Sequence, residues 1–157
     1  MRSALSTFAI GVLSVAVITV ATVSPATAST VSSGGGTLQL GPPTLIWEHA
    51  LGNDLVTYED GSLGFAGTLA GTGTIDVLAL VSSTGSETFV AHWSALATVD
   101  GRSGLLNITL DGTDDGTYSG TLVAYGTGSL AGVVGEGRFT GQDATGAGTY
   151  TLSYVDS

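Results

Sequence analysis

The chain contains no cysteine and no lysine, and each absence excludes certain kinds of site or makes certain partners improbable. Without cysteine there can be no disulfide, no thiolate nucleophile and no cysteine-ligated zinc. The only arginines are Arg2, Arg102 and Arg138, against thirteen acidic residues, and the formal net charge is −10. Because phosphate contacts need basic side chains, this balance argues against nucleic acid and against anionic lipid as partners.

Proline is also scarce, with three residues, whereas glycine is abundant, with 25 of 157. The glycines stand between β-branched and aromatic residues, and 43% of the chain is hydrophobic, so the composition is not that of a disordered chain. No segment after Gly36 shows the 3.6-residue period of an amphipathic helix. We therefore predict one all-β domain, in which glycine serves turns, bulges and close strand crossings.

The start of the chain has the pattern of a signal peptide. Arg2 provides a positive charge, Phe8–Val23 is an uncharged and largely apolar run, and the Ala-Thr-Ala sequence at residues 26–28 resembles a cleavage site. We predict that residues 1–28 are removed after Ala28 and that the mature protein is secreted, with no membrane attachment. The alternative is a membrane anchor formed by residues 4–23, because the apolar run is slightly longer than a typical signal-peptide core.

The rest of the chain divides into a short tail and a strand-rich domain. Residues 29–43 begin with the sequence STVSSGGG and are predicted to be a flexible segment. Residues 44–157 are predicted to form the β-barrel domain, because alternating and β-branched segments recur there between Gly, Asn and Asp residues. The predicted strands are Thr44–Leu51, Asp54–Glu59, Leu63–Ala70, Gly73–Ser82, Glu87–Val99, Leu105–Leu110, Thr117–Tyr125, Gly132–Thr140 and Gly148–Val155.

Short turns between these strands predict an up-and-down antiparallel arrangement. The proposed turns are Asx-Gly or Gly-Asx pairs, which suit the positive φ angles of tight hairpins: Gly52-Asn53, Asp60-Gly61, Asp100-Gly101, Asp111-Gly112 and Asp115-Gly116. Closing about eight such strands into a barrel removes exposed sheet edges, and we predict this architecture. A β-sandwich is the alternative.

Four segments carry a family resemblance: Leu69–Asp76, Val99–Gly104, Gly126–Gly137 and Gly148–Tyr154. In that order they are similar to an uncharacterised bacterial family, a domain of unknown function whose small β-barrel resembles that of allene oxide cyclase. The likeness extends over most of the predicted domain. It implies the barrel fold and no established activity, because one fold hosts many functions.

The same resemblance implies acidic residues at three positions. An acid is present at Asp76, whereas Thr72 and Trp93 stand where the family pattern favours acids. If those acids serve a site in the family, that site is altered in this chain.

Aromatic and polar residues that neighbour each other supply the candidate binding site. Ligand pockets combine apolar walls with a few polar groups, and both histidines of the chain stand within two residues of a tryptophan. No catalytic residue is assigned. The candidate ligand-binding residues are Trp47, Glu48, His49, Asp76, His92, Trp93, Tyr150 and Tyr154.

No cofactor and no metal site are predicted. Asp111–Gly116 is an acidic, oxygen-rich segment, but it has neither the spacing of an EF-hand nor a closing Glu at the twelfth position. We predict a plain hairpin there.

Three functions remain open at this point. The barrel could bind a small apolar molecule in its lumen or at its mouth, with Trp47, Trp93, Tyr150 and Tyr154 as contacts. It could be a cyclase or isomerase that holds a reactive substrate in one conformation, with Asp76, Glu48 and His92 as its polar groups. It could also be a structural or interaction protein with a filled interior. The oligomeric state does not follow from the sequence.

Overall fold

The structure is a computed structural model, and it describes residues 29–157. The described part of the chain forms nine β-strands and one short 3₁₀-helix. Their bounds are β1 Val31–Leu40, β2 Thr44–Leu51, β3 Asp54–Gly67, β4 Leu69–Val81, β5 Glu87–Val99, β6 Arg102–Asp114, β7 Thr117–Thr127, η1 Gly128–Leu130, β8 Val134–Gln142 and β9 Ala147–Val155.

Eight of the strands close into an antiparallel barrel, and the ninth is an addition to it. Strands β3 to β9 pair with their sequence neighbours in order, and β1 pairs with both β9 and β3 to complete the ring. Strand β2 pairs only with β3. The predicted up-and-down barrel is confirmed, and the sandwich alternative is wrong.

The chain from β1 to β2 follows one edge of β3 throughout. The last β1–β3 pair is Leu40 with Leu63, and the first β2–β3 pair is Thr44 with Asp60. Residues 41–43, which include two prolines, separate the two strands. Strand β2 therefore lies outside the ring, on the edge of β3 that β1 leaves free, while the first half of β3 stays paired with β4 on its other edge.

The N-terminal segment corrects one prediction. Residues 29–43 were expected to be flexible, but Val31–Leu40 is the strand that closes the barrel. It lies between β9 and β3, where a Cβ on Gly36 would overlap the carbonyl oxygen of Ala66. The glycines at residues 34–36 therefore permit close strand packing rather than disorder.

Two of the predicted turns are also wrong. Strand β3 runs unbroken through Asp60-Gly61, and β6 continues through Asp111-Gly112 to Asp114. Asp60 and Gly61 pair with Asp76 and Ile75 of β4, and Asp111 and Gly112 pair with both β5 and β7. The turn at Asp100-Gly101 is confirmed, with φ values of 49° and 83°.

The barrel interior holds one core of alternate strand residues. On β5 the inward face carries Ala91, Trp93, Ala97 and Val99, all buried, whereas His92 is exposed. The indole of Trp93 donates a hydrogen bond to the carbonyl oxygen of Leu63 at 2.8 Å. Trp93 is therefore a core residue, and the middle of the barrel is filled.

One end of the barrel is closed by the segment after β7. Leu130 of η1 is fully buried, and the backbone of Gly104 and Gly126 leaves room for it, since a Cβ at either position would meet Leu130. We call this the closed end and the opposite end, with the β4–β5, β6–β7 and β8–β9 turns, the open end.

The predicted signal peptide, and with it the alternative anchor at residues 4–23, lies outside the described residues. Within residues 29–157, no helix has the length and apolarity needed to cross a bilayer.

Candidate functional site

A cavity of about 360 Å³ opens at the open end of the barrel. Its floor is apolar and comes from inward-facing residues of seven strands: Leu38, Leu40, Leu63, Ile75, Val77, Phe89, Ala91, Leu110, Tyr118 and Phe139. Volumes of this size are typical of small-molecule sites. The barrel is therefore packed in the middle and hollow at one end.

Strand β3 changes partner at the wall of this cavity. At Leu63 the wall continues from β3 to β1 and β9, but at Asp60 and the residues before it β3 pairs with β2 instead. Gly61 lies at the exchange, lines the cavity and carries no side chain. A Cβ added there would lie 3.6 Å from the Cα of Pro43 and 3.7 Å from Cγ2 of Ile75, both ordinary contacts. A Cβ therefore fits at Gly61 without overlapping its neighbours.

Tyr118 forms the opposite wall of the cavity. Its hydroxyl donates a hydrogen bond to the carbonyl oxygen of Gly146 at 2.8 Å. The ring crosses Gly141 on β8, where a Cβ would overlap it, and its hydroxyl would lie 2.8 Å from a Cβ on Gly148 of β9. Burial raises the pKa of Tyr118 to about 12, so its hydroxyl is neutral at physiological pH. These two glycines let an aromatic ring lie flat along the wall of the cavity.

Carboxylates surround the cavity above its apolar floor. Glu59 faces inward from β3, Glu87 begins β5, and Asp114 ends β6, while Asp60 and Asp143 lie exposed at the rim. Glu87 stands directly opposite Asp114 in the β5–β6 register. Like charges at such positions destabilise a sheet, so this arrangement costs folding free energy.

The electrostatic cost of this arrangement appears most clearly at Glu87. Burial, with the nearby charges of Glu59, Asp114 and Asp143, raises the pKa of Glu87 from 4.5 to about 6. Burial also raises the pKa of Asp114, against a hydrogen bond from the Gly116 amide that lowers it. Both carboxyl groups hold protons more firmly than in free solution, and neither has a basic partner that lines the cavity.

The predicted site residues on β2 lie outside the eight-stranded ring. Trp47, Glu48 and His49 are all exposed on β2. Trp47 stacks on Tyr58 of β3 with 5.8 Å between ring centroids. None of the three lines the cavity.

Asp76 and His92 are also on the outer surface. They are cross-strand partners on β4 and β5, and both are exposed. The imidazole Nδ1 of His92 lies 3.3 Å from the hydroxyl of Thr109. They share a shallow outer groove of about 210 Å³, which also includes Tyr125. Thr72, where the family pattern favours an acid, is exposed on β4 as well.

The remaining predicted residues, Trp93, Tyr150 and Tyr154, face inward and are buried beneath the cavity or at the closed end. Phe65 packs edge-on against both Trp93 and Tyr150, with centroid distances of 5.2 and 5.3 Å. The hydroxyl of Tyr150 accepts a hydrogen bond from the amide of Leu69 at 2.7 Å. The structure therefore brings the eight predicted residues to three places rather than to one site.

Sequence reasoning missed the residues that do surround the cavity. The pattern that could have located them is the alternation of side chains along a strand. Glu59 and Gly61 lie on the same face of β3 as the core residue Leu63, and Glu87 and Phe89 lie on the same face of β5 as the core residue Ala91. An acidic residue near the end of a strand, on the same face as the core residues, indicates the place where an apolar interior meets solvent.

Fold and site together define a class of protein, the small antiparallel barrel of eight strands with a cavity at one end. The chain belongs to the family described as "Protein of unknown function (DUF3224)", whose family model matches residues 56–154. A DUF3224 protein of unknown function from Shewanella oneidensis MR-1 has a similar structure, with 21% sequence identity and a TM-score of 0.63. That likeness covers 82% of this chain and 98% of the other, and at this identity it shows the fold alone.

No curated protein matches the chain significantly. The predicted resemblance to a barrel family of unknown function is confirmed. The likeness to the allene oxide cyclase barrel is not confirmed.

Proposed function

We propose that the protein binds a small apolar molecule in the cavity at the open end of the barrel. The observation that carries the proposal is the cavity itself, about 360 Å³ with an apolar floor. A barrel of this size can fill its interior with side chains. Here the filling stops at Leu63, Ile75 and Leu110, and the chain places Gly61 rather than a larger residue above them.

The composition of the walls supports an apolar ligand over a polar one. The floor offers aliphatic and aromatic groups, among them Phe89 and Phe139, with ring centroids 6.2 Å apart. The hydroxyl of Tyr118 is already engaged with Gly146. The body of a ligand would therefore contact mainly carbon atoms of the cavity floor. Its binding free energy would come from apolar surface removed from water.

Filling the cavity from Gly61 tests the proposal. The probe is the neutral fluorophore N-phenyl-1-naphthylamine, whose emission rises in an apolar site. Because a Leu at residue 61 would occupy the cavity, we expect Gly61→Leu to weaken probe binding by about tenfold or more. Gly61→Ala is the matched control, since its Cβ makes only ordinary contacts, and it should bind within about twofold of the parent chain.

Two results would overturn the proposal. One is that the parent chain binds neither this probe nor other neutral apolar probes and gains no thermal stability from them. The other is that folded Gly61→Leu binds the probe as the parent does, which would place the binding on the outer surface instead. Circular dichroism of both variants establishes that they fold.

A further inference from the structure

We propose that the natural ligand is an amphiphilic amine whose positive charge lies among Glu59, Glu87, Asp114 and Asp143, with its apolar body on the cavity floor. This inference rests on the proposed function and adds the chemical class of the ligand. It depends on a feature that an apolar ligand alone leaves unexplained, namely the carboxylates above the apolar floor.

The arrangement of these carboxylates is unfavourable without a cation. Glu87 and Asp114 are direct cross-strand partners, both partly buried, and both face the cavity. A carboxylate that loses water without gaining a partner costs free energy, and a second one opposite it adds to the cost. An ammonium group between them would offset both terms, since it donates hydrogen bonds to several oxygens at once.

No arginine side chain lines the cavity to supply that counter-charge. Arg102 lies at the closed end, where it pairs with Asp156. Arg138 is exposed on β8, and Arg2 lies outside the described residues. Because the sequence has no lysine, the residues described as lining the cavity include five carboxylates and no basic group. The cation therefore has to come from the ligand.

Paired probes of equal chain length test the inference. Octylamine and 1-octanol share an apolar body and differ in the charged group, and each competes with N-phenyl-1-naphthylamine at pH 7.5. We expect octylamine to bind about tenfold more tightly than octanol, as a charge-assisted contact predicts. Glu87→Gln should lower the ratio of octylamine affinity to octanol affinity toward one. Glu136→Gln, which removes an exposed carboxylate on β8, is the matched control.

The outcomes separate the two proposals. If neither alcohol nor amine binds, the proposed function fails. If both bind equally, or if Glu136→Gln lowers the amine preference as much as Glu87→Gln does, the cavity binds apolar molecules but the amine inference is wrong. If micromolar calcium abolishes amine binding at constant ionic strength, the carboxylates form a metal site and the inference is again wrong.

The preference should also depend on pH in a defined direction. Glu87 is faced by Glu59 of β3, Asp114 of β6, Asp143 of the β8–β9 turn and the neutral Tyr118 of β7. A primary amine keeps its charge below about pH 10. As the pH falls from 7.5 to 5, protonation of Glu87 removes one negative charge, so the advantage of octylamine over octanol should shrink. An advantage that stays constant over this range would contradict the inference.

Discussion

At the scale of single residues, Glu87 should make the folded state sensitive to pH. Its pKa is raised from 4.5 to about 6 by burial and by neighbouring acids, so the folded state binds its proton more firmly than the unfolded state does. This contribution to stability is therefore complete below about pH 4.5 and is lost as the pH rises through 6. The full shift corresponds to about 2 kcal/mol, and solvent screening at this half-buried position reduces it to about 1 kcal/mol.

Glu87→Gln isolates that contribution. We expect the variant to be more stable than the parent by about 1 kcal/mol at pH 7 and equal to it near pH 4.5, because glutamine does not ionise. Urea unfolding at pH 4.5, 5.5 and 7 measures the difference. A constant difference across this range would show that Glu87 does not titrate abnormally.

His92 and Trp93 are neighbours on β5, but their side chains lie on opposite faces of the sheet. Trp93 is buried and bonded to Leu63, whereas His92 contacts only the surface residue Thr109 among its described hydrogen-bond partners. Both faces of β5 are largely apolar in sequence, so alternation alone cannot say which is inside. Which face of β5 points inward is determined by packing against β4 and β6, whose inward residues surround Trp93.

At the scale of elements, β1 depends on glycine for its position. It pairs with β9 on one side and β3 on the other, and the Cβ of any larger residue at Gly36 would overlap the carbonyl oxygen of Ala66. We expect Gly36→Ala to destabilise the fold by about 1–3 kcal/mol, the usual cost of overpacking. Thr37→Ala, an exposed position on the same strand, should change stability by less than about 0.5 kcal/mol.

Chemical denaturation of the two variants measures this difference. Equal stability of Gly36→Ala and the parent would mean that β1 shifts to relieve the clash, and hence that closure does not require glycine at this position. The sheet pairing of β1 could be followed at the same time by hydrogen exchange of its amides.

The elements predicted best from the sequence are those with clear ends. Thr44–Leu51 and Glu87–Val99 match β2 and β5, because turn residues bound both segments. The prediction was wrong where a glycine lies within a strand rather than in a turn. Asp60-Gly61 resembles a hairpin turn, yet it lies within β3 at the place where that strand changes partner from β1 to β2. Local sequence cannot distinguish these uses, since the partner strands are distant in the chain.

The candidate site was harder to predict than the fold. The eight predicted residues were chosen because aromatic and polar groups stand together in sequence, as in Trp47, Glu48 and His49. The cavity instead joins residues from strands far apart, such as Leu38, Glu87 and Phe139. Their proximity depends on closure of the ring, which is a property of the pairing register and not of any one segment.

At the scale of the whole molecule, the two ends of the barrel differ in charge. The closed end pairs Arg102 with Asp156, whereas the open end carries Glu59, Glu87, Asp114 and Asp143 without a basic residue among those lining the cavity. These carboxylates, in a chain whose formal net charge is −10, attract cations toward the open end and repel anions. This asymmetry agrees with the ligand class proposed above.

We also propose that the protein acts outside the cytoplasm, on the basis of its signal-peptide pattern. Strand β1 begins at Val31, so cleavage after Ala28 would keep all nine described strands in the mature chain. When the full sequence is expressed in a bacterial host, the intact mass of the protein in the medium or periplasm should correspond to a chain that begins at Ser29. Recovery of the uncleaved chain in the membrane fraction would support an anchor at residues 4–23 instead.

The pairing of the first described strand with the last has a consequence for how the chain reaches its native state. Val31 pairs with Val155, so this contact closes a loop that contains nearly the whole domain. The entropic cost of bringing such distant segments together has to be met before the ring gains its final row of hydrogen bonds. During synthesis, β3 to β9 can pair one after another and β1 can pair with β3, whereas the row between β1 and β9 can form only after β9 has emerged. We therefore expect ring closure to be the last step of folding, and until then β1 and β9 each have one unpaired edge open to other chains.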